Sequence, residues 1–152
     1  MNTQIKTGHI TVSYPKIARC IKTLVKIINP YSNESVEVEG IWDTGATGSA
    51  ITKSVAKNLK LIPIGKMIVC GIHGAKEVNS YPIKIEPLGK ADVDIAVMAT
   101  ECDELSADSS VGVLIGMDII SKGDFAVSNF NNSTIMSFRI PSLQTIDFGT
   151  SE

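Results

Sequence analysis

Gly40-Ile41-Trp42-Asp43-Thr44-Gly45-Ala46-Thr47-Gly48-Ser49-Ala50-Ile51-Thr52 (GIWDTGATGSAIT, residues 40–52) runs an apolar strand straight into a carboxylate and then into a glycine-containing turn. The residues leading into it, SVEVEGIW, alternate with period two. Val36, Val38, Gly40 and Trp42 fall on one face, Glu37 and Glu39 on the other. That pattern predicts a half-buried strand that delivers Asp43 at its end. Gly45 permits the backbone to bend there and a ligand to approach closely. Downstream, Ser49, Ala50 and Ile51 continue as an apolar turn. Thr52 is placed to cap a short helix, TKSVAKNLK, with Val55, Ala56 and Leu59 on one side. Asp-Thr-Gly by itself is a weak signal, since composition alone places it in about one chain in forty of this length. Its setting after an apolar strand is what separates it from an ordinary turn.

Outward from this stretch, strand signals dominate. Residues 8–13 are β-like, and residues 17–28 (IARCIKTLVKII) alternate apolar and basic in part. Asn29-Pro30-Tyr31-Ser32-Asn33 is a turn cluster, and Pro63 and Gly65 break the chain after the helix. Residues 66–72 and 76–86 predict a long hairpin around Gly71-Ile72-His73-Gly74. Residues 92–99 form another alternating strand, followed by the acidic loop ECDELSADSS. VGVLIG reads as a buried strand and MDIIS as a short helical turn. Residues 125–140 predict a closing hairpin around Asn131-Asn132-Ser133. Its apolar residues Phe125, Val127, Ile135, Phe138 and Ile140 suit either core packing or pairing with a second subunit. No internal repeat is visible. Many short strands separated by turns predict an all-β fold, a small closed or partly orthogonal barrel with one or two short helices. Residues 1–16 are expected to be an N-terminal arm, 17–140 the folded domain and 141–152 a weakly ordered tail.

At 152 residues the chain suits one domain, which hides roughly 70% of its unfolded surface without covalent staples. Lys and Arg are scattered and the net charge is −2, so no electrostatic footprint for nucleic acid stands out. No apolar run approaches the roughly 18 residues of a membrane helix, and the N-terminus lacks a signal-peptide core. Cys20, Cys70 and Cys102 are far apart and odd in number, with only His9 and His73 as imidazole partners. They are read as reduced thiols in a cytoplasmic protein, with no zinc site and no other metal. No Gly-x-Ser-x-Gly, Walker loop or dinucleotide fingerprint occurs. Cys70 stands three residues from His73, a conceivable nucleophile and base, but at a hairpin tip without an orienting third group.

The order of three segments carries a further reading. Asp43-Thr44-Gly45-Ala46 comes first, the glycine-rich hairpin tip follows, and Leu114-Ile115-Gly116-Met117-Asp118 comes about seventy residues after Asp43. This order resembles the retropepsin family of single-domain aspartic proteases, over roughly residues 17–140, and Leu114–Asp118 looks closer to cellular and bacterial relatives than to retroviral ones. The resemblance implies a retropepsin-type barrel and an aspartic endopeptidase acting on peptide or protein substrates without a cofactor. It makes Asp43 the catalytic carboxylate, with Thr44 bonding its counterpart in a partner subunit and Gly45 presenting a carbonyl to substrate. Ala46 and Thr47 would line the substrate, and Cys70, Gly71, Ile72, His73 and Gly74 would form a closing flap. Leu114, Ile115 and Gly116 would support the active-site loop from beneath. Retroviral members carry an acid four positions after the catalytic Asp and an Arg after the third-motif Gly. Here those positions are Thr47 and Met117, so both partners of that ion pair are missing together.

The chemistry needs two carboxylates in opposite protonation states. One takes a proton from the attacking water and the other polarises the scissile carbonyl. Two carboxyls in contact reach that state because like charges about 3 Å apart do not both ionise cheaply. The chain holds a single Asp-Thr-Gly; Asp92, Asp94, Asp103, Asp108, Asp124 and Asp147 lack the Thr-Gly that follows Asp43, and Asp118 belongs to the third motif. The expected enzyme is therefore a C2 homodimer with its site on the axis. Ala46 cannot donate the hydrogen bond that Ser would offer there, so the expected pH optimum is mildly acidic, about 5 to 6. The competing expectation is a catalytically silent module of the same fold that dimerises or binds peptides.

Overall fold

The computed structural model describes residues 7–87 and 93–150. The outermost residues of the expected arm and tail, 1–6 and 151–152, and Asp92 at the start of an expected strand lie outside them. Ten strands and two short helices follow one another: β1 (Gly8–Tyr14), β2 (Lys22–Ile28), β3 (Ser35–Trp42), β4 (Ala50–Thr52), α1 (Lys53–Asn58), β5 (Gly65–Gly71), β6 (Gly74–Pro87), β7 (Ile95–Cys102), β8 (Val111–Ile115), α2 (Met117–Ile120), β9 (Asp124–Ser128) and β10 (Thr134–Ile140). The larger sheet runs β2-β3-β8-β4-β7-β6-β5, and an extra pairing of β2 with β6 closes it on itself. Six strands thus close a barrel, and β5 stands outside the ring, held only by β6. The fold is the mostly-β barrel that the retropepsin resemblance implied.

Two parallel pairings aim the chain at one end of the barrel. β3 runs beside β8 with Trp42 opposite Ile115, so both strands exit together. β4 bridges β8 and β7, with Ala50 opposite both Leu114 and Thr100. The core is the inward face of these strands. Val25, Ile27, Ile51, Ile83, Ile85, Val113 and Ile115 are all buried, as the period-two pattern requires. Thr52 caps α1 by accepting the Val55 backbone N–H at 3.3 Å, which satisfies one of the helix's free N-terminal donors.

A second sheet, β1-β10-β9, covers one end of the core. Phe125 and Phe138 are cross-strand partners on its inner face and both pack on Trp42, with ring centroids 5.4 and 4.9 Å away. Trp42 donates from Nε1 to Thr23 Oγ1 at 2.9 Å, so its one polar atom is satisfied in the core.

Several boundaries differ from the sequence expectation. The strand expected over 17–28 begins only at Lys22. Residues before it link the two sheets instead: Ala18 N–H donates to Thr134 Oγ1 at 2.9 Å and Ile21 O accepts the Trp42 N–H at 3.0 Å. The strand expected over 92–99 runs from Ile95 to Cys102, so it takes the first two residues of the expected acidic loop. Ala50 and Ile51, expected in an apolar turn with Ser49, belong to strand β4 (Ala50–Thr52), whose last residue is the expected helix cap. In the closing hairpin Ile135 faces away from Phe138, because alternation along β10 places Met136 and Phe138 inward.

Candidate active site

Asp43 leaves the end of β3 beside the end of β8, and its backbone N–H donates to Ile115 O at 2.9 Å. Its carboxylate Oδ1 accepts the Gly45 N–H at 2.8 Å, and its carbonyl accepts the Ala46 N–H at 3.3 Å. The side chain is therefore aimed by its own turn. Asp43 is half-buried, while Thr44, Gly45 and Thr47 are exposed on the same turn.

Gly116 explains why the third motif needs a glycine. Its φ of −96° and ψ of −171° suit any residue, so the constraint is space. A Cβ there would sit 2.6 Å from Gly48 O, 2.7 Å from Gly48 C and 3.0 Å from Ala46 O. The chain after β8 thus passes in backbone contact beneath the loop that carries Asp43. Met117 N–H donates to Ala46 O at 2.8 Å and Asp118 N–H to Thr47 O at 3.2 Å. Thr47 and Met117 are joined to the opposing segment through backbone atoms.

Two side chains that sequence reasoning left without a role complete this contact. Ser49 is fully buried. Its hydroxyl donates to Asp118 Oδ1 at 2.7 Å and accepts the Gly116 N–H at 3.0 Å, while its backbone N–H donates to Asp118 Oδ2 at 3.0 Å. The available signals were a hydroxyl residue inside an apolar turn and an acid in the first turn of a helix. Ile115 is core, whereas Leu114 turns to the outer face and, with its register partners Ile41 and Ala50, forms a half-buried apolar strip beside the point where Asp43 emerges.

β5 and β6 form the expected long hairpin, with Gly71 opposite Gly74 and Ile72-His73 as the turn. Gly74 has φ of 100°, a conformation that glycine adopts without strain. Ile72 is fully exposed at the tip. A groove of about 410 Å³ runs beneath the hairpin, lined among others by Val69, Ile72, His73, Lys76, Cys102 and Asp103. Asp103 bonds Lys53 at 2.7 Å and faces Lys76 of the flap at 3.8 Å. The Lys53 hydrogen bond, then its charge and that of Lys76, hold the Asp103 carboxyl below the usual range. Burial, followed by the charges of Asp103, Glu104 and Glu101, pushes the Cys102 thiol up to about 11, so it lines the groove as a neutral group. Cys70 lies opposite Ala75 and His73 in the turn, both exposed; among the described residues no hydrogen bond orients one toward the other. Among the described residues, no group of three or more His, Cys, Asp or Glu side chains is placed to hold a metal ion. No described helix is long and apolar enough to cross a membrane.

A retropepsin-like aspartic protease from Rickettsia conorii superimposes with a TM-score of 0.53 at 14% identity, covering 88% of this chain and 94% of that one. EIAV protease in an inhibitor complex gives 0.48 at 23% identity, covering 69% and 88%. The foamy viral protease–reverse transcriptase gives 0.48 at 24% identity; the match takes in 67% of this chain but spans only 12% of that much longer one. No curated protein sequence matches. The profile of the gag-polyprotein putative aspartyl protease family matches residues 31–122, from the turn before β3 to the end of α2, which includes the Asp43 loop, the flap and the Gly116 contact. The chain belongs to that family of retropepsin-like aspartic proteases.

Proposed function

We propose that the protein is an aspartic endopeptidase whose catalytic dyad is Asp43 from each of two identical subunits. The observation that carries this reading is the Asp43 turn. A carboxylate is held by its own loop, braced from behind by the chain around Gly116, and presented next to an exposed Thr44. Asp118, the acid nearest the loop, is engaged by Ser49 and cannot serve as the second carboxylate. A second copy supplies it.

In the dimer one Asp43 is ionised and accepts a proton from the attacking water, while the other is protonated and donates to the scissile carbonyl oxygen. Two carboxylates in contact repel one another, so the working dyad shares one proton. Gly45 presents its carbonyl to the substrate backbone and Thr44 bonds across the axis. Ala46 and Thr47 line the bound chain. The flap, Cys70 to Gly74, closes over the peptide and excludes water. The strip of Ile41, Ala50 and Leu114 favours apolar side chains at the scissile bond.

The contact between subunits is placed on the β9–β10 hairpin. Among the described residues β9 is an edge strand of its sheet; Ile135 on the outer face of the hairpin is 42% exposed, and Val127, at the far end of the face that carries Phe125, is 40% exposed. Three free cysteines support a reducing compartment, and we place the enzyme in the cytoplasm. The test is digestion of a diverse peptide mixture from pH 4 to 7, read by mass spectrometry, with Asp43→Asn in parallel and each sample sized by analytical ultracentrifugation. Cleavage by a dimer, lost in the variant, is expected. A folded dimer that cleaves nothing would be a binding module, and an active monomer would refute the shared dyad.

A further inference from the structure

The retroviral brace between the two active-site segments, an acid paired with an arginine, is missing here at Thr47 and Met117, yet the segments still meet in backbone contact. We infer that Asp118 is a positioning residue for catalysis: through Ser49 it locks the active-site loop to the segment after β8 and so fixes where Asp43 stands. This inference rests on the protease reading above.

The geometry is a closed relay. One Asp118 oxygen takes the Ser49 hydroxyl at 2.7 Å and the other takes the Ser49 N–H at 3.0 Å. Because the hydroxyl hydrogen is committed to Asp118, an oxygen lone pair of Ser49 is free to face the Gly116 N–H at 3.0 Å. The Ser49 carbonyl, in turn, accepts the Thr100 N–H of β7 at 3.1 Å, which ties the relay to the barrel wall. Only an acceptor at both oxygens satisfies this arrangement. An Asn at 118 would keep one acceptor and turn an N–H₂ toward a donor, so the isosteric change breaks one of the two bonds. Ser49 is fully buried, so no water replaces a lost partner freely. Asp43 opens the loop that Ser49 closes six residues later, and Asp118 Oδ2 lies 4.0 Å from the Cβ position of Gly48. Loosening Ser49 therefore loosens the loop at its downstream anchor. Its upstream anchor, the Asp43 N–H on Ile115 O, stays intact.

A carboxylate held about 1 Å out of place costs on the order of 100-fold in rate without a change in substrate binding. Asp118→Asn and Ser49→Ala are each expected to lower kcat roughly 10- to 100-fold with KM within about threefold and the dimer dissociation constant unchanged. Ser49→Thr keeps the hydroxyl and is expected to recover most of the rate. Ser49→Ala/Asp118→Asn should lose no more than the worse single variant, since the residues act as one unit. Losses that multiply, or wild-type kcat in Asp118→Asn, would overturn the inference, and so would a loss that appears only as weaker dimerisation. A second readout is independent of turnover. Amide exchange at Ser49 and Gly116 should accelerate in Asp118→Asn while β2 and β3 keep their protection. If the wild type cleaves no peptide, the protease reading fails, and unchanged exchange at those two amides would still defeat the relay on its own terms.

Discussion

Gly116→Ala is the sharpest perturbation of the candidate site, because it adds one methyl group where backbone meets backbone. The new Cβ would sit 2.6 Å from Gly48 O, 2.7 Å from Gly48 C and 3.0 Å from Ala46 O. Ordinary carbon–oxygen contact needs about 3.3 Å, so the loop and the third motif must separate by roughly 0.7 Å. Backbone dihedrals cannot absorb this as strain relief, since Gly116 is already in an extended conformation open to alanine. The separation stretches the Met117 N–H bond to Ala46 O, now 2.8 Å, and the Gly116 N–H bond to Ser49 Oγ, now 3.0 Å. Overpacking of this kind costs about 1–3 kcal/mol, and for a chain of 152 residues about 2–4 °C of Tm accompanies each kcal/mol. A fall of roughly 5–10 °C is expected in calorimetry. The same displacement at Asp43 predicts a loss of about 100-fold in kcat, measured on a peptide identified from the digestion experiment. Gly116→Ala with the wild-type Tm and wild-type kcat would refute the close-approach argument. A lowered Tm with unchanged kcat would confine Gly116 to folding and detach it from the loop.

Three further outcomes follow from other parts of the molecule. Trp42→Ala removes a core ring that stacks on Phe125 and Phe138 and orphans the Thr23 hydroxyl; about 3–5 kcal/mol of stability should be lost in urea titration, with the midpoint moving and the slope kept. Asp108 is held at about 2 by hydrogen bonds from the Ser110 side chain and backbone and from Ser106. Its folded value lies below its unfolded one, so its stabilisation is present above about pH 4 and disappears as pH falls through about 2; Asp108→Asn should flatten that part of the acid unfolding curve. A thiol reagent at pH 8 should label exposed Cys20 and Cys70 promptly and half-buried Cys102 many-fold more slowly, because burial keeps the Cys102 thiol protonated; equal rates for all three would contradict its placement.

The barrel was legible in the sequence where a strand has one wet face and one dry face. SVEVEGIW is such a strand, and β3 occupies those eight residues with Gly40 and Trp42 buried. The long hairpin was legible because two β-like runs flank Gly71-Ile72-His73-Gly74, and Gly74, at φ of 100°, takes a conformation that glycine adopts without strain. Boundaries failed where the chain leaves one sheet for the other. IARCI has strand composition, but its backbone hydrogen-bonds to Thr134 and Trp42 in a linker, and composition does not report which partner a backbone group finds. AIT was hidden for another reason. Three residues carry no period, and β4 exists because β7 and β8 leave a gap that it fills.

The same distinction governs the candidate site. Asp43, Thr44 and Gly45 form a contiguous motif, so order along the chain was enough to single them out. Ser49 and Asp118 are 69 residues apart and become neighbours only because β3 and β8 run parallel and release their chains at one end of the barrel. An ion pair between Thr47 and Met117 positions would have announced itself as two charges of opposite sign. Ser49 and Asp118 replace it with one charge and a hydroxyl, and half of that device is chemically indistinguishable from any serine in a turn. A brace built from one charge also avoids burying a second, which lowers its desolvation cost relative to a full ion pair. The Asp43 loop is thus held by a carboxylate whose donors, among the described residues, both belong to Ser49 of that loop, with the Gly116 N–H donating to the same hydroxyl. Removing either side chain alone should therefore release the loop as completely as removing both.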